Sequence, residues 1–483
     1  MIALRRFALV VALFALLVVT LLAPAAHAEK PVKVYILAGQ SNMVGIGQVD
    51  GGGTRWGGEF SNPVLSIYPG PYKADVDYDK IGTFKTLTLE SFGGVKPTPY
   101  PNEKDTVQVV RGHVKMPATG VYEFRPGYGG STENIMVVDG KEVYRKEPGG
   151  DAKHTSIKLE AGKKVAFKIT YLNNQAGGLG WYARKDIPGT LATVVQQEGK
   201  FPYLLDEKGN WRSRDDVYYK GVVTATADKW LAPGCGAGGN NIGPELGFGH
   251  LLGDHHDEPV LILKASQGNR SLAWDFLPPG SESFEHTDEN GKAWVYAGYK
   301  QSPSRWEKGT EPEPINWYAG KQYDDCFGAA HEVLNNFDKH FPHWKGRGYE
   351  IAGFGWWQGH KDTGSALTAA RYEQNLVTLI KTLRSEFKAP DAPFVVATIG
   401  FGGWEMKGGA LTVANAQLAV SGDKGKYPDF KGNVKTVETR DFWIEADKSP
   451  RNQDFHYNQN AEVYMRVGEA MGKGMLELLG ASK

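Results

Sequence analysis

Compact apolar runs separated by helix-length stretches constrain this chain more than any other feature. Val32–Leu37 (VKVYIL), Pro259–Lys264 (PVLILK), Tyr349–Trp357 (YEIAGFGWW) and Pro393–Ile399 (PFVVATI) are rich in β-branched and aromatic residues, and a shorter run follows at Val434–Thr439. They read as buried strands. Among them lie stretches with helical patterning, at Pro244–Leu252, Gln322–Phe341, Ala366–Phe387 and Asn460–Leu479. Strands alternating with helices of this length predict parallel β-α-β units, and so an α/β fold in three layers.

Residues 75–200 break that rhythm. Gly120–Phe124, Asn134–Val143 and Ser156–Tyr171 alternate apolar and polar positions between Asp-Gly and Ala-Gly-Lys turns. Asp139-Gly140 is a strong hairpin signal, and the pattern predicts an antiparallel, all-β sandwich. The expected organisation is therefore an α/β domain of residues 29–74 and 201–483, interrupted by an inserted β-sandwich at 75–200. Insertion in a loop is physically cheap, because closure entropy grows slowly with length.

Composition narrows the function. The 55 basic residues balance 55 acidic ones, which argues against an electrostatic nucleic-acid binder. Two cysteines, Cys235 and Cys326, exclude a disulfide framework and any four-cysteine metal site, and whether they pair is open. Arg5 and Arg6, the apolar run Phe7–Ala23 and the small-residue site Ala26-His27-Ala28 have the order of a cleavable signal peptide, residues 1–28. As an uncleaved anchor the run is slightly short. The expectation is a secreted or periplasmic protein with no stable membrane insertion.

Ser41 follows the first strand in Ala38-Gly39-Gln40-Ser41-Asn42-Met43, where α/β sheets place ligand-binding loops. A serine there becomes a nucleophile given a histidine within hydrogen-bond reach; on spacing alone the position better suits a helix N-cap. Ser266, beyond the second long run, is a rival of the same topology, and no G-x-S-x-G elbow is present.

Tyr35–Met43 resembles the first block of the SGNH/GDSL hydrolases, in the form used by sialate O-acetylesterase-like carbohydrate esterases. Ile242–Gly249 leading to Leu261–Leu272 is similar to the second block, Phe354–Asp362 to the third, and Phe455-His456-Tyr457-Asn458 to the last. The resemblance implies a flavodoxin-like SGNH fold, Ser41 as nucleophile and His456 as base. It implies an oxyanion hole of the Ser41 N–H, the Gly268 N–H and the Gln358 side-chain amide, with Gln40, Asn269, His360 and Asp362 as substrate contacts. The family's acid lies three residues before the histidine, which here is Gln453. Asp454 is the chosen acid, with Asp362 or a Ser41–His456 dyad as alternatives. A neutral imidazole base predicts activity rising through roughly pH 6–7. Within the insert, Val121–Phe124, Asn134–Lys141, Leu159–Lys164 and Leu179-Gly180-Trp181 resemble the protective-antigen type of β-sandwich, implying a carbohydrate-binding module, a spacer or a cleft wall.

The expected protein is thus an exported serine esterase that takes acetyl or similar small acyl groups from glycans through an acyl-enzyme, with no cofactor and no metal. The rivals are an SGNH esterase or lipase on non-sugar esters and a non-catalytic glycan-binding protein. His250, Asp254, His255, His256 and Asp257 read as solvated surface at a helix end rather than a metal cluster. Asp75–Asp79 starts like a calcium loop but has Lys80 where a glycine is needed. Trp356-Trp357, Phe401–Trp404 and Phe442-Trp443 suit a sugar cleft or the core equally well.

Overall fold

The computed structural model describes residues 29–50, 59–83, 85–88, 105–116, 119–126, 133–172, 179–184 and 186–481. The expected signal peptide, residues 1–28, lies outside the described residues. Seven strands form the main sheet: β1 (Val32–Gly39), β2 (Val217–Val223), β3 (Asp228–Trp230), β4 (Val260–Ser266), β5 (Tyr349–Trp357), β6 (Phe394–Ala397) and β7 (Val434–Val437), in the spatial order β3-β2-β4-β1-β5-β6-β7. All neighbours are parallel except the edge strand β3, which pairs antiparallel with β2.

Besides a short α-helix at Phe337–His340, the α-helices among the described residues are α1 (Ser41–Val44), α2 (Glu245–His255), α3 (Lys321–Asn335), α4 (Ala366–Glu386), α5 (Gly408–Ala419) and α6 (Ala461–Leu478). Alternate side chains of β1 enter different cores, as the two-residue period of a strand requires. Val32, Val34, Ile36 and Ala38 pack with α3, α4 and α5, whereas Tyr35 and Leu37 pack with α2 and α6. A parallel sheet covered by helices on both faces is the three-layer arrangement. The cysteines are free, and they sit in different cores, Cys326 among α3 and α4 and Cys235 among α2 and α6, so the open question of their pairing is answered by separation.

The second β unit has a seven-stranded sheet, running from Glu59–Pro69 to Lys164–Tyr171, and a three-stranded sheet of Gly120–Pro126, Ile157–Leu159 and Leu179–Arg184. They share one core, in which Leu65, Val110, Met136 and Ile169 of the first meet Tyr122, Phe124 and Leu159 of the second. The Asp139-Gly140 turn joins two of its strands with both residues at positive φ, 49° and 75°. Its limits differ from the expected 75–200. Glu59–Pro69 already belongs to its large sheet, with Asn62 at φ 54° and a register shift beside it that hide the strand's alternation. At the other end Leu191 and Val195 pack with the α/β core.

Two readings of minor motifs become more definite. His250 is buried beside Arg214, whose guanidinium is held by Asp216 and Asp254, and His256 bonds the Tyr35 hydroxyl at 2.7 Å. Asp254, His255 and Asp257 are exposed, as expected of solvated surface, and only His250 and His256 turn inward. Trp356 and Trp357 are fully buried core residues, while Trp404 is 62% exposed.

Candidate active site

The C-terminal ends of β4, β1 and β5 lie side by side, with Gly39 of β1 opposite Ser266 of β4 and Trp357 of β5. The connection from β1 runs to β2 in one half of the sheet and that from β4 crosses to β5 in the other, so this crevice is a topological switch point, where open α/β sheets bind ligands. Gly39 lets the chain turn there. Its φ is 153°, and a Cβ on it would stand 2.1 Å from the Trp357 carbonyl oxygen. Ser41 then opens α1, and its Oγ lies 2.9 Å from His456 Nε2.

His456 comes from a tight segment before α6. Tyr457, Asn458 and Gln459 follow it at φ 50°, 53° and 57°, three successive non-glycine residues in the left-handed region. Such positions each cost of order 1 kcal/mol or more and persist only where the surroundings over-determine them. Here Tyr457 is buried against Trp357 and accepts the Gly400 N–H at 2.7 Å, and the Asn458 side chain accepts from the Gln453 N–H and donates to the Ile444 carbonyl. Asn42, beside the serine, donates to the Phe455 carbonyl at 3.1 Å and accepts the Tyr464 hydroxyl at 2.8 Å. It ties α1 to the histidine segment. Sequence reasoning missed it, because its partners are 413 and 422 residues away.

Gly268 lies against the serine; a Cβ on it would sit 3.6 Å from Ser41 Cβ. Among the described residues its N–H has no protein acceptor. Gln358 is a correction. Its Nε2 lies 3.1 Å from Gln40 Oε1, 2.9 Å from the Arg270 carbonyl and 2.6 Å from Asp362 Oδ2, so the amide serves its neighbours and not an oxyanion beside Ser41. Gln40 and Asp362, expected to touch substrate, are buried parts of the same bracket. Gln40 Oε1 is also within 3.3 Å of the Gly359 and Lys361 N–H groups. Asp362 accepts the Leu272 and Ala273 N–H groups, both at 2.8 Å. Burial pushes its carboxyl up to about 6 against these three hydrogen bonds. Asp362 therefore holds the 270–273 loop and is not the acid of His456. Asn269, at φ 56°, has no side-chain partner among the described residues, and His360 stacks on Phe455 at 4.9 Å.

Residues 297–477 match the family model described as carbohydrate esterase, sialic acid-specific acetylesterase. This part of the chain is a carbohydrate esterase domain. The match contains Gln358, Asp362 and His456, and it leaves out Ser41 and Gly268. No curated protein matches the chain. Among solved structures, the chain is similar to a protein from Arabidopsis thaliana at 15% identity, covering 56% of this chain and 87% of that one with a TM-score of 0.33. A carbohydrate acetylesterase from Xanthomonas citri is similar at 14% identity, with coverage of 78% and 72% and a TM-score of 0.35. The protein NanS is similar at 13% identity, with coverage of 94% and 99% and a TM-score of 0.32.

The electrostatics of the candidate site centre on His456. Burial, then the neighbouring His360, lower its pKa to about 4, and Asp454 opposes them. A base works only when neutral, so with His456 as base the acid limb of activity is expected at about pH 4 rather than at 6–7. His456 Nδ1 is buried without a partner among the described residues. The exposed Asp454 turns its Oδ1 to the Phe455 N–H at 2.7 Å, and Gln453 Oε1 accepts from Gln459 Nε2 at 2.8 Å. Ser266, the rival nucleophile, is fully buried, and its Oγ has no partner among the described residues.

Beneath the serine lies an ion pair that the sequence did not announce. Lys264 and Glu245 are both fully buried and 2.8 Å apart. Lys264 Nζ also donates to the Val44 carbonyl at the end of α1, at 2.9 Å, and Glu245 accepts the Gly243 N–H at 2.8 Å. Removing one partner of such a pair typically costs about 3–5 kcal/mol, because the other charge stays buried. Lys264→Met is therefore expected to lower unfolding stability by about that much, and adding Glu245→Leu should recover most of the loss. Denaturant titration checks this, and a drop below about 1 kcal/mol for Lys264→Met would show that the pair does not underpin α1.

Proposed function

We propose that the chain is an exported serine esterase of the SGNH type that removes acetyl groups from glycans through an acyl-enzyme. The observation that carries the reading is the 2.9 Å approach of Ser41 Oγ and His456 Nε2 at the strand ends of an α/β sheet. His456 takes the hydroxyl proton as Oγ attacks the acetyl carbonyl. The oxyanion that forms faces the N–H groups of Ser41 and Gly268, donors held in place before charge develops. Collapse breaks the bond to the sugar oxygen, which leaves with the proton carried by His456. Water, activated by the same imidazole, then releases acetate and restores Ser41. Asp454 is the acid of the triad; it is the one carboxylate whose charge raises the His456 pKa. Asn269 and His360 contact the substrate.

The residues 1–28 leader supports export, and among the described residues no helix is long and apolar enough to cross a membrane. The β unit inserted after α1 is a glycan-binding module or a wall of the cleft. The test is acetate release from defined acetylated polysaccharides compared with aliphatic and aryl esters, with a fluorophosphonate probe to mark the nucleophile. Release from glycans with the probe on Ser41 is the expected result. Turnover confined to non-sugar esters would overturn the substrate, and glycan binding with no turnover of any ester would overturn the esterase reading.

A further inference from the structure

A cavity of about 770 Å3 lies apart from Ser41 and His456, between the first half of α4 and a small three-stranded sheet of Phe284–Thr287, Ala293–Tyr296 and Arg305–Glu307. Trp274, Phe284, Tyr296, Arg305, Lys361 and Arg371 line it. Arg371 faces it along one stripe of α4, with Gln374, Asn375 and Thr378 at the helical spacing.

The cations of this cavity lack the acid partners that several of the protein's other arginines have. Arg214, Arg145 and Arg440 each hold carboxylates. Arg371 instead lies with its guanidinium carbon 3.6 Å from the centre of the Phe284 ring, and Phe284 stacks in turn on Tyr296 at 5.0 Å. Among the described residues Arg371 has no acid and no hydrogen-bond acceptor. Arg305 lies over Trp294 and donates to the Tyr296 hydroxyl, and neither it nor Lys361 has an acid partner among the described residues. Burial lowers the Arg371 pKa, the sign of a cation short of solvation. The two carboxylates at the cavity do not answer it. Asp288 accepts from Trp294 Nε1 and from the N–H groups of its own turn, and Glu282 is exposed. A planar guanidinium with its donors open is the group that binds carboxylate or sulfate oxygens in pairs.

The cavity wall is also close along the chain to the residues around Ser41 and His456. Ala273, on its wall, is five residues from Gly268, which caps it at no more than about 18 Å of chain from the nucleophile's neighbour. Lys361 follows His360, whose ring lies on Phe455 beside His456.

We propose that this cavity is a second glycan-binding site, which receives an anionic sugar unit, carboxylated or sulfated, on Arg371, with Arg305 and Lys361 adding attraction. A neighbouring unit of the same glycan presents its ester to Ser41; this part of the inference rests on the esterase reading. Isothermal titration of the full chain with ester-free oligomers tests it, using a galacturonate hexamer, a sulfated galactan hexamer and neutral xylohexaose. At least one acidic oligomer is expected to bind about ten-fold or more tightly than the neutral one. Arg371→Gln should remove that advantage and Arg371→Lys should restore part of it, with the unfolding transition unmoved. The acidic oligomer that loses more affinity names the anion. Arg305→Gln, on the opposite wall, is the second variant should a change in α4 disturb folding, and it should weaken the same oligomer. Equal binding of all three oligomers, or an Arg371→Gln chain that binds like the wild type, would overturn the site. Because the probes carry no ester, failure of the two readings is separable. Binding without acetate release overturns the esterase alone, and acetate release with equal binding overturns the cavity alone.

Discussion

Ser41→Ala and His456→Ala are each expected to lower kcat by about 10⁶, and the double variant no further, because a nucleophile and its base act as one unit. The pair is built for this. Oγ and Nε2 are already at hydrogen-bond distance, and Asn42 fastens the two segments that carry them. Single-turnover acetate release measures the loss. Additive losses would show that Ser41 and His456 act independently, and a probe adduct on Ser266 would reassign the nucleophile.

Asp454→Asn is expected to lower kcat by as much as ~10⁴, the scale on which a triad loses its acid. The role requires the Asp454 carboxylate to leave the Phe455 N–H and meet His456 Nδ1, the buried nitrogen that has no partner among the described residues. The pH profile supplies the sign. Asp454 favours the protonated imidazole, so its loss moves the acid limb, at about 4 in the wild type, to still lower pH. Asp362→Asn should leave that limb in place and lower stability instead, since its carboxylate anchors two backbone N–H groups and the Gln358 amide. If Asp454→Asn keeps more than about a tenth of kcat, a Ser41–His456 dyad is the better account.

The strands that position the site were legible because a strand buried on both faces has no polar alternation, as in Val260–Ser266 or Phe394–Ala397. β2 was not, since Lys220 interrupts it to pair with Asp228 on the edge strand. The small sheet of residues 284–307 is polar and half exposed, so no periodicity marked it. At the site, Ser41 and His456 stood out through local motifs. The work of Gln40, Gln358 and Asp362 did not, because a buried amide or carboxylate looks in sequence like any polar residue near a cleft. Only its partners reveal whether it faces a ligand or a backbone, and those partners belong to other strand ends.

The place of β1 at the centre of the sheet has a kinetic consequence. It is made before the other strands of this sheet, yet its neighbours β4 and β5 begin at Val260 and Tyr349. Until more than two hundred residues have followed, this apolar ribbon has unpaired edges on both sides, the kind of surface that draws incomplete chains into aggregates. The intervening β unit does not shield it, but it shortens the effective search. Once folded, it takes its own residues out of the flexible chain, so the stretch that must close onto β1 behaves as a shorter loop. Refolding after denaturation should therefore be limited by capture of the amino-terminal strand, and a chaperone that holds that strand would gain more yield than one acting on any later segment.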